Sequence, residues 1–406
     1  MIGRAPITIR GMGRRVLLAC VVALVAGGAI VADAGALIVP IPGVDGPSIR
    51  LVAALRTEDG GAILVAWIRP AHASGTGTTL TARLDAEGRL ELGYGYEGVA
   101  ALPLGPTVIP AALAVDPATG EAWIGAMDGT RAEIIAVSST GQEQPGFGRR
   151  GVVDLPAVDD GGVRALAWRS GELLVAAGAR GRCTGCVLTV LKGSSGAPVA
   201  RTTITPAATC TGAIAVTSVA FTNTMGSLTA TSVANPAACM PALLAFDDRL
   251  VPSGSRALPR LQPQLLRSLA LTQASGAPCV AGIGPAGVSV WPLGARRSSV
   301  PVGGASARLI ALVPLGGGAC GALLARPRRS GEVAQTAPSG SAPSVSVVPA
   351  SLVPLAMFRC HQHLLVIAAD GPVGDQAAVI VPVRIARGPF AAATAASRSM
   401  PSTGCA

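Results

Sequence analysis

ELGYGYEGVAAL, Glu91 to Leu102, carries Gly93, Gly95 and Gly98 at the spacing G-x-G-x-x-G. That spacing has two readings. A dinucleotide fingerprint opens a helix whose N-terminus meets a pyrophosphate. A hairpin turn instead uses glycine for its positive φ. The residues that follow decide between them: they form short apolar runs with turn signals between them, and no helical periodicity. A second copy, QPGFGRRGVVDL, Gln144 to Leu155, begins about 53 residues later. Gly93-Tyr94-Gly95 aligns with Gly146-Phe147-Gly148, and Gly98-Val99 with Gly151-Val152. A third match, Gly282 to Gly287, also runs into a strand pattern, VSVW. All three read as hairpin turns, and none is expected to bind a nucleotide.

Working outward, the next segment of each copy is a strand, a turn and a strand. Its clearest form is VRALAWRSGELLVAAG, Val163 to Gly178. Looser forms are AALAVDPATGEAWIGAM, VTSVAFTNTMGSLTATS, LRSLALTQASGAPCVAG and RLIALVPLGGGACGALLA. LVAALRTEDGGAILVAW stands at the front and LVPLAMFRCHQHLLVIAA at the back, which makes seven units. Their turns fall near Gly60, Gly120, Gly171, Gly226, Gly276, Gly317 and Gln362. The mean period is roughly 53 residues, close to that of propeller blades.

LTARLDAEGRLELGYGYEGVAAL and QEQPGFGRRGVVDLP, followed by GGVRALAWRSGELLVAAG, resemble the delta-60 repeat of secreted β-propeller proteins. In that pattern an Asp or Asn turn leads to an aromatic-Gly step, a strand, an Ala/Leu strand and a D-G-K turn. The resemblance covers about Leu80 to Gly178. Here Ser170-Gly171-Glu172 replaces the usual turn, and units three to seven lack the aromatic-Gly step. The resemblance implies a fold and leaves the activity open.

Unit three contains four strand candidates: Val163–Trp168, Glu172–Ala177, Val187–Leu191 and Val199–Ile204. Both faces of its first strand are largely apolar, so neither tolerates water. Stacking sheets radially and closing the circle buries both. The fold expected is all-β: a seven-bladed β-propeller of four-stranded antiparallel sheets over residues 36–390. The strand Ala36–Ile41 has no unit of its own. It is expected to supply the outer strand of the last blade, beside Leu352–Phe358, His363–Ala369 and Ala377–Ile385. Ala337–Pro349 reads as an expanded loop of unit six, and 391–406 as a flexible C-terminal tail.

Residues 1–34 have the grammar of a secretory signal. Arg10, Arg14 and Arg15 precede the apolar run Val16 to Ala32, then small residues that fit a cleavage site. An uncleaved anchor is the rival reading, since the run reaches the lower edge of a membrane span. Beyond the signal lie Cys183, Cys186, Cys210, Cys239, Cys279, Cys320, Cys360 and Cys405. An even count in an exported chain points to disulfides with open connectivity. Cys183–Cys186 and Cys210–Cys239 are the pairings expected first. The chain is 406 residues long with a net charge of +10, and Lys192 is its only lysine. A basic surface attracts anionic polymers, but neither stacking aromatics nor a basic helix argues for nucleic acid.

Catalytic signatures are sparse. No G-x-S-x-G or H-E-x-x-H occurs. The histidines are His72, His361 and His363, and Cys360-His361-Gln362-His363 reads as a hairpin turn rather than a metal site. Asp370 to Asp375 lacks the alternating carboxylates of a calcium loop. The pairs Asp159-Asp160 and Asp247-Asp248 lie in turns. No metal and no cofactor is expected.

The notable constellation is basic. Arg164, Arg267 and Arg308 align at the start of the first strand in units three, five and six. Arg50 aligns there in unit one up to a one-residue slip, and the other equivalents are Ala111, Thr217 and Val353. The first strand of a propeller blade borders the channel, so these guanidinium groups are candidates for an anion-binding mouth. At ~8 Å each pair repels by roughly 2 kcal/mol at a dielectric of ~20, and by about 0.5 kcal/mol in open water. A phosphate or carboxylate relieves that repulsion through bidentate contacts; separate solvation of the arginines is the alternative.

The expected function is therefore an exported, monomeric, non-enzymatic binding module. Its partner is an unspecified protein or anionic envelope polymer, and membrane contact comes only from an uncleaved N-terminus. The alternatives are a propeller enzyme (lyase, hydrolase or quinoprotein dehydrogenase) and a structural envelope component.

Overall fold

The structure is a computed structural model. It describes residues 37–39, 48–69, 77–86, 89–102, 104–128, 131–155, 161–178, 186–204, 214–221, 228–234, 242–257, 270–271, 279–284, 287–292, 300–304, 306–316, 319–326, 329–336, 343–348, 353–360, 363–370 and 377–384. The signal segment and the C-terminal tail lie outside these residues. So do Arg267, Cys183, Cys210, Cys239, Cys405, His72, His361, Asp159-Asp160 and Gly371 to Asp375.

All described regular structure is β. Strand β1 is Leu37–Val39. Blade 1 comprises β2 Ser48–Arg56, β3 Ala62–Arg69, β4 Thr78–Leu84 and β5 Val99–Ala101. Blade 2 comprises β6 Val108–Val115, β7 Ala122–Asp128, β8 Arg131–Val137 and β9 Val152–Leu155. Blade 3 is β10 Val163–Arg169, β11 Glu172–Ala177, β12 Cys186–Lys192 and β13 Pro198–Ile204. Blade 4 is β14 Ile214–Phe221, β15 Leu228–Ala234, β16 Ala242–Phe246 and β17 Pro252–Ala257. Blade 5 is β18 Ala270–Leu271, β19 Cys279–Gly284, β20 Gly287–Pro292 and β21 Val300–Pro301. Blade 6 is β22 Arg308–Gly316, β23 Ala319–Arg326, β24 Arg329–Gln335 and β25 Ser344–Val347. The last blade holds β26 Val353–Cys360, β27 His363–Asp370 and β28 Ala377–Arg384.

Among the described residues these strands form seven four-stranded antiparallel sheets. Six are sequential meanders, and the seventh has the order β1-β28-β27-β26. The N-terminal strand thus completes the last blade, pairing Leu37 with Ile380, Ile38 with Val379 and Val39 with Ala378. The first strands of successive blades touch one another, and β26 returns to β2, so the cycle of sheets closes.

Burial on both sheet faces explains the closure. Along β11, Leu173, Val175 and Ala177 join the core shared with blade 2. The alternating Leu174 and Ala176 join the core shared with blade 4. Period-two alternation between two cores leaves no face for water, so a blade is stable only between neighbours. Two aromatic side chains fasten one such seam. Trp123 of β7 stacks on Trp168 of β10 with ring centroids 4.0 Å apart. Its indole N–H donates to Gly193 O at 3.2 Å. A second seam is covalent: Cys279 of β19 is bonded to Cys320 of β23, with Cα atoms 6.1 Å apart. Cys186 is also disulfide-bonded.

Two expectations are corrected by register. The stretch Ala337–Pro349, read as a loop because of its Pro and Ser content, contains β25, which pairs with β24 from Glu332↔Val347 to Gln335↔Ser344. Strand alternation of Val345 and Val347 outweighs the flanking prolines, which lie outside the pairing and cost it no ladder bond.

The second correction concerns the arginines. Among the described residues, six first strands carry a β-bulge, at Val52, Ala111, Arg164, Thr217, Ile310 and Leu355. The extra residue bends the innermost strand and is absent from the partner strand. Ala111, Arg164 and Thr217 therefore share one position. Arg50, Arg308 and Val353 share another, two residues earlier. A gapless sequence alignment cannot separate the two positions, because a step of two preserves the strand face.

Candidate functional site

The loops joining the third and fourth strands of blades 1 and 2 have one architecture. Tyr96 and Val99 exchange backbone hydrogen bonds, as do Arg149 and Val152. Between them, Glu97 and Gly98 have φ of 52° and 89°, and Arg150 and Gly151 have 57° and 87°. Positive φ at both central residues defines the two-residue hairpin whose twist matches antiparallel strands. Gly95 and Gly148 are left-handed as well, at 58° and 53°. A Cβ there would run into the carbonyl oxygens of Val99 and Val152. The glycine spacing is therefore a compound turn with no helix behind it.

Within this turn one side chain points inward. Tyr94 is 1% exposed and Phe147 0%, each filling the seam with the following blade. The Tyr94 hydroxyl lies 2.9 Å from Thr81 Oγ1. Burial pushes its ionisation up to about 12, against the opposing effects of Thr81 and Arg83. Each turn is also tied to the next blade: Gly95 N–H donates to Thr140 O, and Gly148 N–H to Ser195 O, both at 2.9 Å.

Ion pairs brace the same end of the sheets. Arg83 of β4 is 12% exposed and sits 2.6 Å from both Asp59 and Glu91. It also donates to Ser139 O of blade 2 at 3.2 Å. Burial opposes ionisation of Asp59, but the Thr57 hydroxyl, the Gly61 amide and Arg83 outweigh it and hold its carboxyl below the usual range. Arg169, at the end of β10, reaches Asp248 of blade 4 at 2.9 Å and lies over the Phe221 ring at 4.4 Å. These links hold the hairpins of blades 1 to 4 as one rim.

What the rim displays differs from copy to copy. Around the buried aromatic, blade 1 exposes Leu92 (75%), Tyr96 (76%) and Glu97. Blade 2 exposes Pro145, Arg149 and Arg150 at the same three positions. The seam of blades 2 and 3 adds exposed Lys192. Tyr94 and Tyr96 look alike in a single copy of the repeat. Alignment with Phe147 and Arg149 separates them, since only the inward position stays aromatic.

The described sequence-derived candidates lie on different blades. Arg164 Nε donates to Gly178 O at 2.8 Å, so part of that guanidinium holds the end of β11. Arg308 is exposed at the head of β22. Cys360 and His363 pair directly across the β26–β27 hairpin. Asp247 is a turn residue, accepting the amides of Arg249 and Val251. Among the described residues no group of three or more His, Cys, Asp and Glu is placed to hold a metal. A charged edge not anticipated from sequence lies on blade 2. There burial, then Asp128 and Asp154, push the Glu133 carboxyl up, with Arg131 opposing.

No protein-family model matches the chain, and neither does any curated protein. Solved structures do resemble it. A chain of a mitotic checkpoint complex structure aligns with TM-score 0.53 and 12% identity, over 92% of this chain and 100% of that one. The β-propeller domain of Cps50 (Swd1) from Myceliophteria thermophila aligns with TM-score 0.50 and 11% identity, over 81% and 95%. The chain is a β-propeller. BamB from Moraxella catarrhalis aligns with TM-score 0.44 and 11% identity, over 82% of this propeller and 99% of that chain. At such identities the likeness speaks to the fold alone.

Proposed function

We propose that this propeller is an exported, non-enzymatic interaction module that binds a protein partner through the hairpin rim of blades 1 to 3. The observation that carries the reading is the contrast between a constant scaffold and a variable display. The two hairpins share backbone torsions and a buried aromatic, yet their outward residues change from Leu, Tyr and Glu to Pro, Arg and Arg. Recognition residues are concentrated on loops that a rigid scaffold positions. Exposed Tyr is also a frequent anchor of protein interfaces. The N-terminal signal grammar and the Cys279–Cys320 bond support export into an oxidising compartment.

The test uses the full chain carrying a photo-crosslinking residue in place of Tyr96, with Val345 on the outer strand β25 as control. Irradiation in the native host is expected to give a discrete protein adduct from position 96 and none from position 345. Equal labelling from both positions, or none from 96, would remove the rim from the account.

A further inference from the structure

The rim has a chemical polarity that specifies its partner more closely, provided the rim is an interaction surface as proposed above. Arg149, Arg150 and Lys192 are exposed, and among the described residues no ion pair engages them. Three other rim cations have carboxylate partners: Arg83 has Asp59 and Glu91, Arg89 has Asp85, and Arg169 has Asp248 and Glu172. The unpaired cations are held together. The bond from Gly148 N–H to Ser195 O sets the Arg149-Arg150 hairpin against the turn that begins at Lys192.

One blade away, the bond from Gly95 N–H to Thr140 O sets the hairpin bearing Leu92 and Tyr96 against the turn leading into the same blade 2 loop. Apolar anchors and an unneutralised basic patch thus lie on consecutive copies of one rigid turn. Like charges so placed repel, and an anion relieves that repulsion. A bare polyanion satisfies the cations but leaves Leu92 and Tyr96 in water. A peptide carrying both carboxylates and large apolar side chains satisfies both. We infer that the rim of blades 1 to 3 docks an acidic protein segment, with Leu92 and Tyr96 taking its apolar side chains and Arg149, Arg150 and Lys192 its carboxylates.

The probe is a fluorescein-labelled 16-residue peptide repeating Glu-Leu-Asp-Phe, titrated with the full chain and followed by anisotropy. Poly-glutamate of equal charge is the comparison. Saturable binding is expected. Arg149→Glu with Arg150→Glu should weaken it about tenfold or more and flatten its salt dependence. Leu92→Ser with Tyr96→Ser should weaken it about tenfold with the salt dependence intact. Arg131→Glu with Arg201→Glu, an equal charge change elsewhere, should leave affinity within about twofold. Unchanged melting temperatures show that the variants fold.

Three outcomes of the titration overturn the inference: no saturable binding, equal loss in the Arg131/Arg201 control, or poly-glutamate binding as well as the peptide with Leu92 and Tyr96 irrelevant. The last would mark a polyanion surface instead. A position-96 adduct with a partner lacking any acidic segment would end this inference and leave the rim reading standing.

Discussion

Phe147→Ala should lower the unfolding free energy by about 3–5 kcal/mol, while Tyr96→Ala should change it by less than about 0.5 kcal/mol. Both remove an aromatic ring from the same kind of turn. Phe147 is fully buried in the seam of blades 2 and 3, among Trp123, Leu173 and Leu191. Its loss leaves a void between two sheets that are held apart by their other side chains, and cavities that cannot collapse cost most. Tyr96 is 76% exposed and leaves no void. Urea unfolding of the two variants checks this. Equal small effects would mean that the seam is not packed as described.

The second large effect is covalent. Replacing both Cys279 and Cys320 by Ala should destabilise the chain by up to about 4 kcal/mol, from loop-closure entropy over the 41-residue separation. Half-cystines at 0% exposure also leave a small void, and its cost adds to that figure. The bond joins β19 to β23 across the seam of blades 5 and 6. Its removal should therefore loosen that seam first, visible as faster amide exchange in both strands. Peptide mapping under non-reducing conditions must also recover the Cys279–Cys320 pair. A different pairing, or an unchanged unfolding midpoint, would contradict the assignment.

Much of this fold is legible in the sequence. A propeller repeats one strand-turn-strand pattern, so each strand is seen several times. The strands of unit three lie within a residue of their expected limits. Ala36–Ile41 has no unit of its own and so points to the last blade, where its core Leu37–Val39 pairs with β28. What escaped is whatever breaks the period. The bulges divide the aligned first-strand residues between two positions two residues apart, a step that hydrophobic alternation does not register. The outer strand β25 lies in a Pro- and Ser-rich stretch whose composition resembles a loop. The Cys279–Cys320 pairing depends on the distance between sheets, which no local pattern encodes. For the rim, the signal was present: comparing LGYGYEG with PGFGRRG separates the constant inward aromatic from the variable outward residues. One copy of the repeat taken alone does not say which of the two neighbouring tyrosines is buried.

The display of the rim depends on blades locked in a closed ring, and the lock is the pairing of Leu37–Val39 with β28. Amide hydrogen exchange of the full chain, followed by mass spectrometry, tests that pairing most directly. Protection of residues 37–39 comparable to that of Ala377–Arg384 is expected. Exchange of 37–39 at the rate of an unfolded chain, with Ala377–Arg384 still protected, would show a ring left open at its junction and would contradict the account.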